Sequence, residues 1–475
     1  MTRCPRMHAV SVLRWVFILC CLIPMAPSVE AGTASQPSPI SCEGKFKHKR
    51  PAPQALDGLM KSHAHWLDNR DSTEGQRANL CLADLRGLRL VGANLERIRL
   101  EGANLRGTNL RGANLVQSHL TGADLSGAIL DDANLVGADM RKAQLVKAHL
   151  NQAIGNEVAF YGANLQNALL REATLERAHF EDADLQLADF SGATIMDGYF
   201  YGANLYKANL SGADLVSADL RRTDLRQANL RRADLQGALL DSANLDGASL
   251  AEAELDSAYL DEVSLVKANL REAILRGADL RFTNLTGAIL QRANLENANL
   301  EGSSLHKARM ESATLSMAIF YKANLSGADL QSAKLYRAVL IGGQLTDTDL
   351  RKADLTEVYA PKAVLHRAKL REANLDSANL VAADLRAADL SHANLTQANL
   401  REASLRGANL SDSDLTGAQL HDADLQRADL RGTNLAGAMG LVQAQIDAAC
   451  LDEATKLPAD LHTPNPCLVG HPARK

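Results

Sequence analysis

From Gln76 to Leu435 the chain repeats every five residues, and these 360 residues contain no insertion and no slip of register. The pentads run QRANL, CLADL, RGLRL, VGANL, and onward to RGTNL at 431–435. Of the 72 positions spaced by five from Leu80 to Leu435, 62 are Leu and eight are Phe, Met or Ile, leaving only Gly155 and Ala360 small. Two residues before each of these, Ala stands 57 times in 72. Between the two, Asn or Asp stands 40 times.

A period of five suits neither common element. On an α-helix, at about 100° per residue, the leucines would spread over every face. On a strand they would alternate sides. Leucine-rich repeats need roughly 20–29 residues with uneven spacing. The remaining solution is a chain that turns a corner every five residues and stacks its coils. Each side then points one large and one small residue inward and three outward, and four sides close a coil of twenty. The small residue is required because the leucines already crowd the axis, and interior packing density leaves little spare volume.

The consensus A-(D/N)-L-x-x resembles that of the pentapeptide repeat family, over residues 76–435. The leader His63-Ala-His-Trp66-Leu67 with Gly75 and Arg77-Ala-Asn-Leu80 is similar to segments that introduce such repeats, and Gly440 to Cys450 with Thr455 to Pro458 is similar to a closing segment. The resemblance implies an all-β fold, a right-handed quadrilateral parallel β-helix. The count then gives about 18 coils of 20 residues and a rod of about 86 Å at the usual inter-strand spacing. Open ends of a solenoid need covering. Helical spacing at Leu56, Leu59, Met60, His63 and Leu67 predicts a helix over 53–68 at one end, and 442–449 is helix-like at the other. Irregularity, as a slight bend or a small cavity, is expected at 151–160, where Gly155 empties a core position, and at 358–363 around Ala360.

Ahead of the repeats, Arg3, Arg6 and Arg14 precede an apolar run from Trp15 to Ala26 that Pro24 breaks. It falls short of the ~20 residues needed to span a bilayer. With small residues at Val29 and Ala31 before Gly32, it reads as a signal peptide. The expected organisation is 1–31 signal peptide, 32–75 linker and helical cap, 76–440 β-helix and 441–475 cap and tail, with no transmembrane segment in the mature chain. The reading is an exported protein, periplasmic or secreted. Cys42 and Cys81 lie near one end of the repeats and Cys450 and Cys467 near the other. Export permits two local disulfides; four reduced cysteines are the alternative.

Catalysis needs polar groups converging in a concavity. A repeat without insertions has flat sides, and no catalytic motif or CxxC is present. No catalytic residue, cofactor or metal is expected. His119 and His179 share a side but lie three coils apart, as do His306 and His366, about 14 Å and too far to share a metal. His63 and His65 flank Trp66 and read as capping residues. With a net charge of −5, the chain is no general nucleic-acid binder. Some members of the resembled family protect DNA gyrase by presenting a DNA-like rod, which would want about 50 negative charges over this length. Residues 76–440 carry 39 Lys/Arg and 46 Asp/Glu, a mild excess. Neighbours such as Asp224/Arg226 and Arg231/Asp234 read as ion pairs on a mixed-charge surface.

Aromatic residues are only 4% of the chain, yet six of eight tyrosines fall on one of four sides: Tyr161, Tyr199, Tyr201, Tyr259, Tyr321 and Tyr359. That side also carries Phe160, Phe180, Phe200 and Phe320 inward and Phe282 outward. Two readings stand: tyrosine ladders over a phenylalanine stack, or an exposed patch for a protein or carbohydrate partner. The function expected is a non-enzymatic binding or scaffold rod; the alternative is inhibition of a nucleic-acid enzyme, gyrase-type, by surface mimicry.

Overall fold

The computed structural model describes residues 42, 44–69 and 75–463. The signal-peptide segment and Cys467 lie outside the described residues. Helix α1 (Pro53–Asp68) precedes the repeats and helix α2 (Gln443–Asp447) follows them. Between them the chain forms a quadrilateral parallel β-helix. From Asn79↔Arg99 to Gln419↔Met439 every bridge is parallel and joins residues twenty apart. Neither Gly155 nor Ala360 disturbs that register.

The backbone accounts for the residue types. In the pentad Leu205–Asn209, the Leu205 N–H donates to Asp224 O (2.8 Å), Lys207 N–H to Arg226 O (3.0 Å) and Asn209 N–H to Ala188 O (2.9 Å), all in neighbouring coils. Ala208 N–H closes the corner onto Leu205 O (2.9 Å). Tyr206, first of the two turn residues, has the one N–H without a backbone acceptor. The side chain of Asn204, two residues earlier, takes it at 3.2 Å. This Asx arrangement recurs along the rod and explains why Asn and Asp dominate the bridging position. Where another residue stands there, a carboxylate one coil back can substitute, as Asp246 does for Val266 (3.0 Å).

The corner itself has positive φ at its second turn residue in all 72 cases from Leu82 to Gly437, of which 23 are Gly and 49 are not. A bonded four-residue turn with φ > 0 at its third position matches type II geometry. The non-glycine residues tolerate the left-handed region because ladder bonds hold them from both sides. Gly237 tests this point: φ is +63°, and an added Cβ would meet only Ser217 Oγ at 3.8 Å. Gly237→Val is expected to cost about 1–2 kcal/mol and Gly237→Asn much less, as measured by thermal denaturation; equal losses would mean that φ does not limit the corner.

Inside, the Leu and Ala columns form one continuous buried core, with Leu90 and Ala93 near its N-terminal end only partly covered. Phe160, Phe180 and Phe200 stack along one side, with centroids 5.1 and 4.8 Å apart, and Phe190 meets Phe180 edge-on. At Gly155 the missing leucine leaves no hole, because Val158, in an alanine position, and Leu175 fill it; a Cβ on Gly155 would lie 3.2 Å from Val158 Cγ1 and 2.9 Å from Leu175 Cδ2. At Ala360 the filling is incomplete. A cavity of about 10 Å³ remains, lined by leucines with Val358, Ala360 and Ala363. Space that small and apolar stays dry.

At the N-terminal end Cys42 is bonded to Cys81, with Cα atoms 5.9 Å apart. His48 N–H donates to Leu82 O (2.8 Å), and Lys49 O accepts from Asp84 (3.1 Å), so this segment pairs with the first coil. From α1, His63 is fully buried; its Nδ1 accepts Ala78 N–H (3.2 Å) and its Nε2 reaches Glu96 O (3.0 Å). Burial pushes its pKa below the ordinary histidine value. At the other end Gln445 of α2 donates to the carbonyls of Leu420 (3.1 Å) and Ala423 (2.8 Å). There the bridges Asp429↔Cys450 and Asn434↔Lys456 span 21 and 22 residues, so the inserted helix lengthens the coil. Cys450 is disulfide-bonded.

Candidate partner-binding face

On the side of Leu80 the bridging column runs Asp139, Ala159, His179, Tyr199, Asp219. Beside it, in the first turn position, stand Arg141, Tyr161, Glu181, Tyr201 and Arg221. Spacing of about 4.8 Å per coil brings Tyr161, Tyr199 and Tyr201 together with His179. Their exposures are 39%, 39% and 37%, so each ring is held at its base and open at its edge. Tyr199 stacks on His179, with centroids 4.7 Å apart and planes 9° from parallel. His179 Nδ1 in turn lies 2.9 Å from Glu181 Oε1. Arg221 and Arg222 lie over the Tyr201 ring at 5.9 and 5.6 Å. The Asp182 carboxylate beside Tyr161, first as a hydrogen-bond acceptor and then through its negative charge, pushes the phenol pKa up.

The stack sets the Tyr199 ring against its coil neighbour and the arginines cover the Tyr201 ring, which leaves the edges of these two rings toward solvent. At Tyr199 and Tyr201 the surface offers hydroxyls and ring edges rather than open ring faces. The remaining tyrosines lie apart. Tyr259 is three coils from Tyr199 and 48% exposed. Tyr359 shares its column with Ile319 and Val339, and half-buried Tyr321 lies beside them with Lys322 Nζ 4.8 Å from its ring. Ile319 and Met317, both exposed, extend this second cluster. They went unnoticed in the sequence, although sorting by twenties places Ile319 in the same column.

Charge on the surface is largely self-neutralising. In the pattern Asp-x-Arg the arginine folds back, bidentate, on the aspartate two residues before it, as in Asp84–Arg86, Asp139–Arg141, Asp219–Arg221 and Asp224–Arg226. Arg86 holds Asp84 down to about 2. The expected Arg231/Asp234 pair does not form. Arg231 reaches across the coil to Glu252 (2.6 Å), which Arg232 also binds (2.7 Å), while Asp234 caps the Gln236 N–H (3.0 Å). The reason is direction: an arginine after the bridging carboxylate can fold back on it, and one three residues before it points elsewhere. Among the described residues no group of three or more His, Cys, Asp or Glu could hold a metal ion. Among them also, no helix is long and apolar enough to cross a membrane.

The family model for pentapeptide repeats matches in successive segments from residue 76 to 454. The chain belongs to that family. Among solved structures it is similar to HetL, a pentapeptide repeat protein involved in heterocyst differentiation regulation from the cyanobacterium Nostoc sp. strain PCC 7120, at 36% identity over 50% of this chain and 88% of that one, with a TM-score of 0.24. It is also similar to QnrB1, a plasmid-mediated fluoroquinolone resistance protein, at 18% identity over 41% and 89%, TM-score 0.24. A third is the pentapeptide repeat protein Rfr23 from the cyanobacterium Cyanothece 51142, at 24% identity over 28% and 93%, TM-score 0.19. No curated protein matches the sequence.

Proposed function

We propose that this pentapeptide repeat protein is exported and non-enzymatic, a rod of about 18 coils covered at both ends by α1 and α2, and that the side bearing Tyr161, Tyr199 and Tyr201 binds a protein partner. The observation that carries the reading is the edge-outward tyrosine cluster over a stacked phenylalanine core. Its rings are already ordered by neighbours, so a partner meets them at little cost in side-chain entropy. Aromatic side chains with a polar tip are favoured in such contacts. Edges and hydroxyls suit a protein better than a sugar, which stacks on open ring faces. The return of arginine onto the aspartate two residues before it works against the alternative of nucleic-acid mimicry, since it cancels charge where a mimic would display it.

Two measurements test the proposal. Fractionation of cells should place a processed chain, beginning near Gly32, outside the cytoplasm; an uncleaved cytoplasmic chain defeats the export claim. Tyr161→Ser/Tyr199→Ser/Tyr201→Ser should keep the parental melting temperature to within a few degrees and lose the partners that the parent crosslinks in the envelope. Recovery of the same partners would remove this face from consideration.

A further inference from the structure

The column that carries His179 and Tyr199 has a gap. Among the 72 outward bridging positions from Asn79 to Asn434 alanine occurs once, at Ala159, and glycine never. Asp139 and His179 are its bridge partners on either side. The result is a shallow, open notch lined by Asp139, Arg141, Ala159, Tyr161, His179 and Glu181. Its floor is stiff, because Phe160 and Phe180 are stacked directly beneath it. One face of the His179 imidazole carries Tyr199; the other faces the notch, where Ala159 offers only a methyl group.

We infer that the notch over Ala159 is a binding slot for a planar cationic group, the guanidinium of an arginine on a partner protein. This rests on the proposed choice of face and gives its partner a chemical feature. A planar group in the slot continues the stack His179–Tyr199 at the spacing the ladder already sets. Guanidinium stacks on aromatic faces in a way that an ammonium does not. Charge agrees with the assignment. Asp139 and Arg141 neutralise each other through a bidentate pair, which leaves Glu181 as the uncompensated carboxylate of the wall. Glu181 spends Oε1 on His179, while its Oε2 is buried with no hydrogen-bond partner. That oxygen is closed to solvent, so a guanidinium in the open notch, with its five N–H donors, meets Glu181 through the charge of the carboxylate rather than through Oε2. A neutral ring would fill the space but bring no charge to the carboxylate.

The test uses the full chain and N-acetyl-arginine amide as probe, with the His179 ring signals followed by NMR and assigned through His179→Gln. A saturable shift is expected, with N-acetyl-lysine amide and N-acetyl-tyrosine amide each at least fivefold weaker. Ala159→Leu fills the notch and should weaken binding tenfold or more; Leu169 and Leu239 occupy equivalent bridging positions, so the fold accommodates it. Glu181→Gln should weaken binding severalfold and supplies a second variant if the first is unstable. Absence of saturable binding, equal binding of lysine, preference for tyrosine, or unchanged affinity in both variants would each overturn the assignment. The proposed face stands or falls separately. Tyrosine-dependent capture of envelope partners that survives Ala159→Leu would leave the face intact and discard the slot, whereas capture insensitive to the tyrosines would discard the face whatever the probe does.

Discussion

Leu235→Asp is expected to collapse the middle of the solenoid, while Arg231→Gln, four residues away, leaves it almost unchanged. Leu235 is fully buried, and its surroundings in the core are apolar. An aspartate there has no partner for its charge, and the effective penalty for an uncompensated buried ion is several kcal/mol. The lost leucine packing adds about 2–3 kcal/mol. Neutralising the acid instead leaves an unpaired carboxyl in the same place, which is costly too. Arg231 lies on the surface and is over half exposed, and its partner Glu252 keeps Arg232. In a repeat array each coil touches only its neighbours, so the damage should be local. Limited proteolysis should cut near residue 235 in the Asp variant before the ends are attacked. Equal melting temperatures for the two variants would mean that the inward and outward assignments are wrong.

Gly155→Leu should destabilise the protein although it restores the consensus. The space that leucine needs is held by Val158 and Leu175, which a Cβ alone would approach to 3.2 and 2.9 Å. Overpacking of this kind costs about 1–3 kcal/mol. Val158→Ala alone should also cost about 1 kcal/mol, because it opens a void beside a glycine. The double variant recreates the ordinary small-and-large pair, in which only the Leu175 methyl group has to give way. Its stability should return to within about 0.5 kcal/mol of the parent, a coupling far beyond the additivity expected of independent sites. Additive losses in denaturant unfolding would show that Val158 and Gly155 do not compensate one another.

These cases mark how far the sequence could be read. The inward columns were legible because leucine and alanine recur at fixed spacing, and a coil of twenty follows once the corner is set at five. The reason for the corner was also written in the chain but passed unread. Of 32 glycines, 23 fall at the second turn position, where φ is positive. That signal was diluted by the 49 other residues sharing the conformation, which ordinary propensities would have excluded. The Asn/Asp column was seen as a pattern without its cause, since the N–H it serves becomes an orphan only when the rest of the backbone has been paired. Gly155 looked like an empty place because its filler, Val158, belongs to a different column. Arg231 was assigned to the wrong carboxylate because sequence distance does not tell which way a turn residue points, and twenty-one residues separate it from Glu252. The tyrosines were correctly placed on one side, but the orientation of their rings came only from the stack of Tyr199 on His179.

Because the coil closes after four corners, the register acts as a gear with four teeth. Gaining or losing twenty residues is one full revolution, which moves everything downstream along the axis by one coil, about 4.8 Å, and leaves every side facing as before. A change of five residues leaves each leucine inside and each turn intact, yet swings the downstream chain through a quarter turn. Tyr259, Tyr321 and Tyr359 would then look out from a different wall than Tyr161, Tyr199 and Tyr201. The core would tolerate both changes equally; only a partner that spans several coils would feel the difference. A ligand that grips one slot is blind to the gearing, whereas one that lies along the rod depends on every pentad between its footholds.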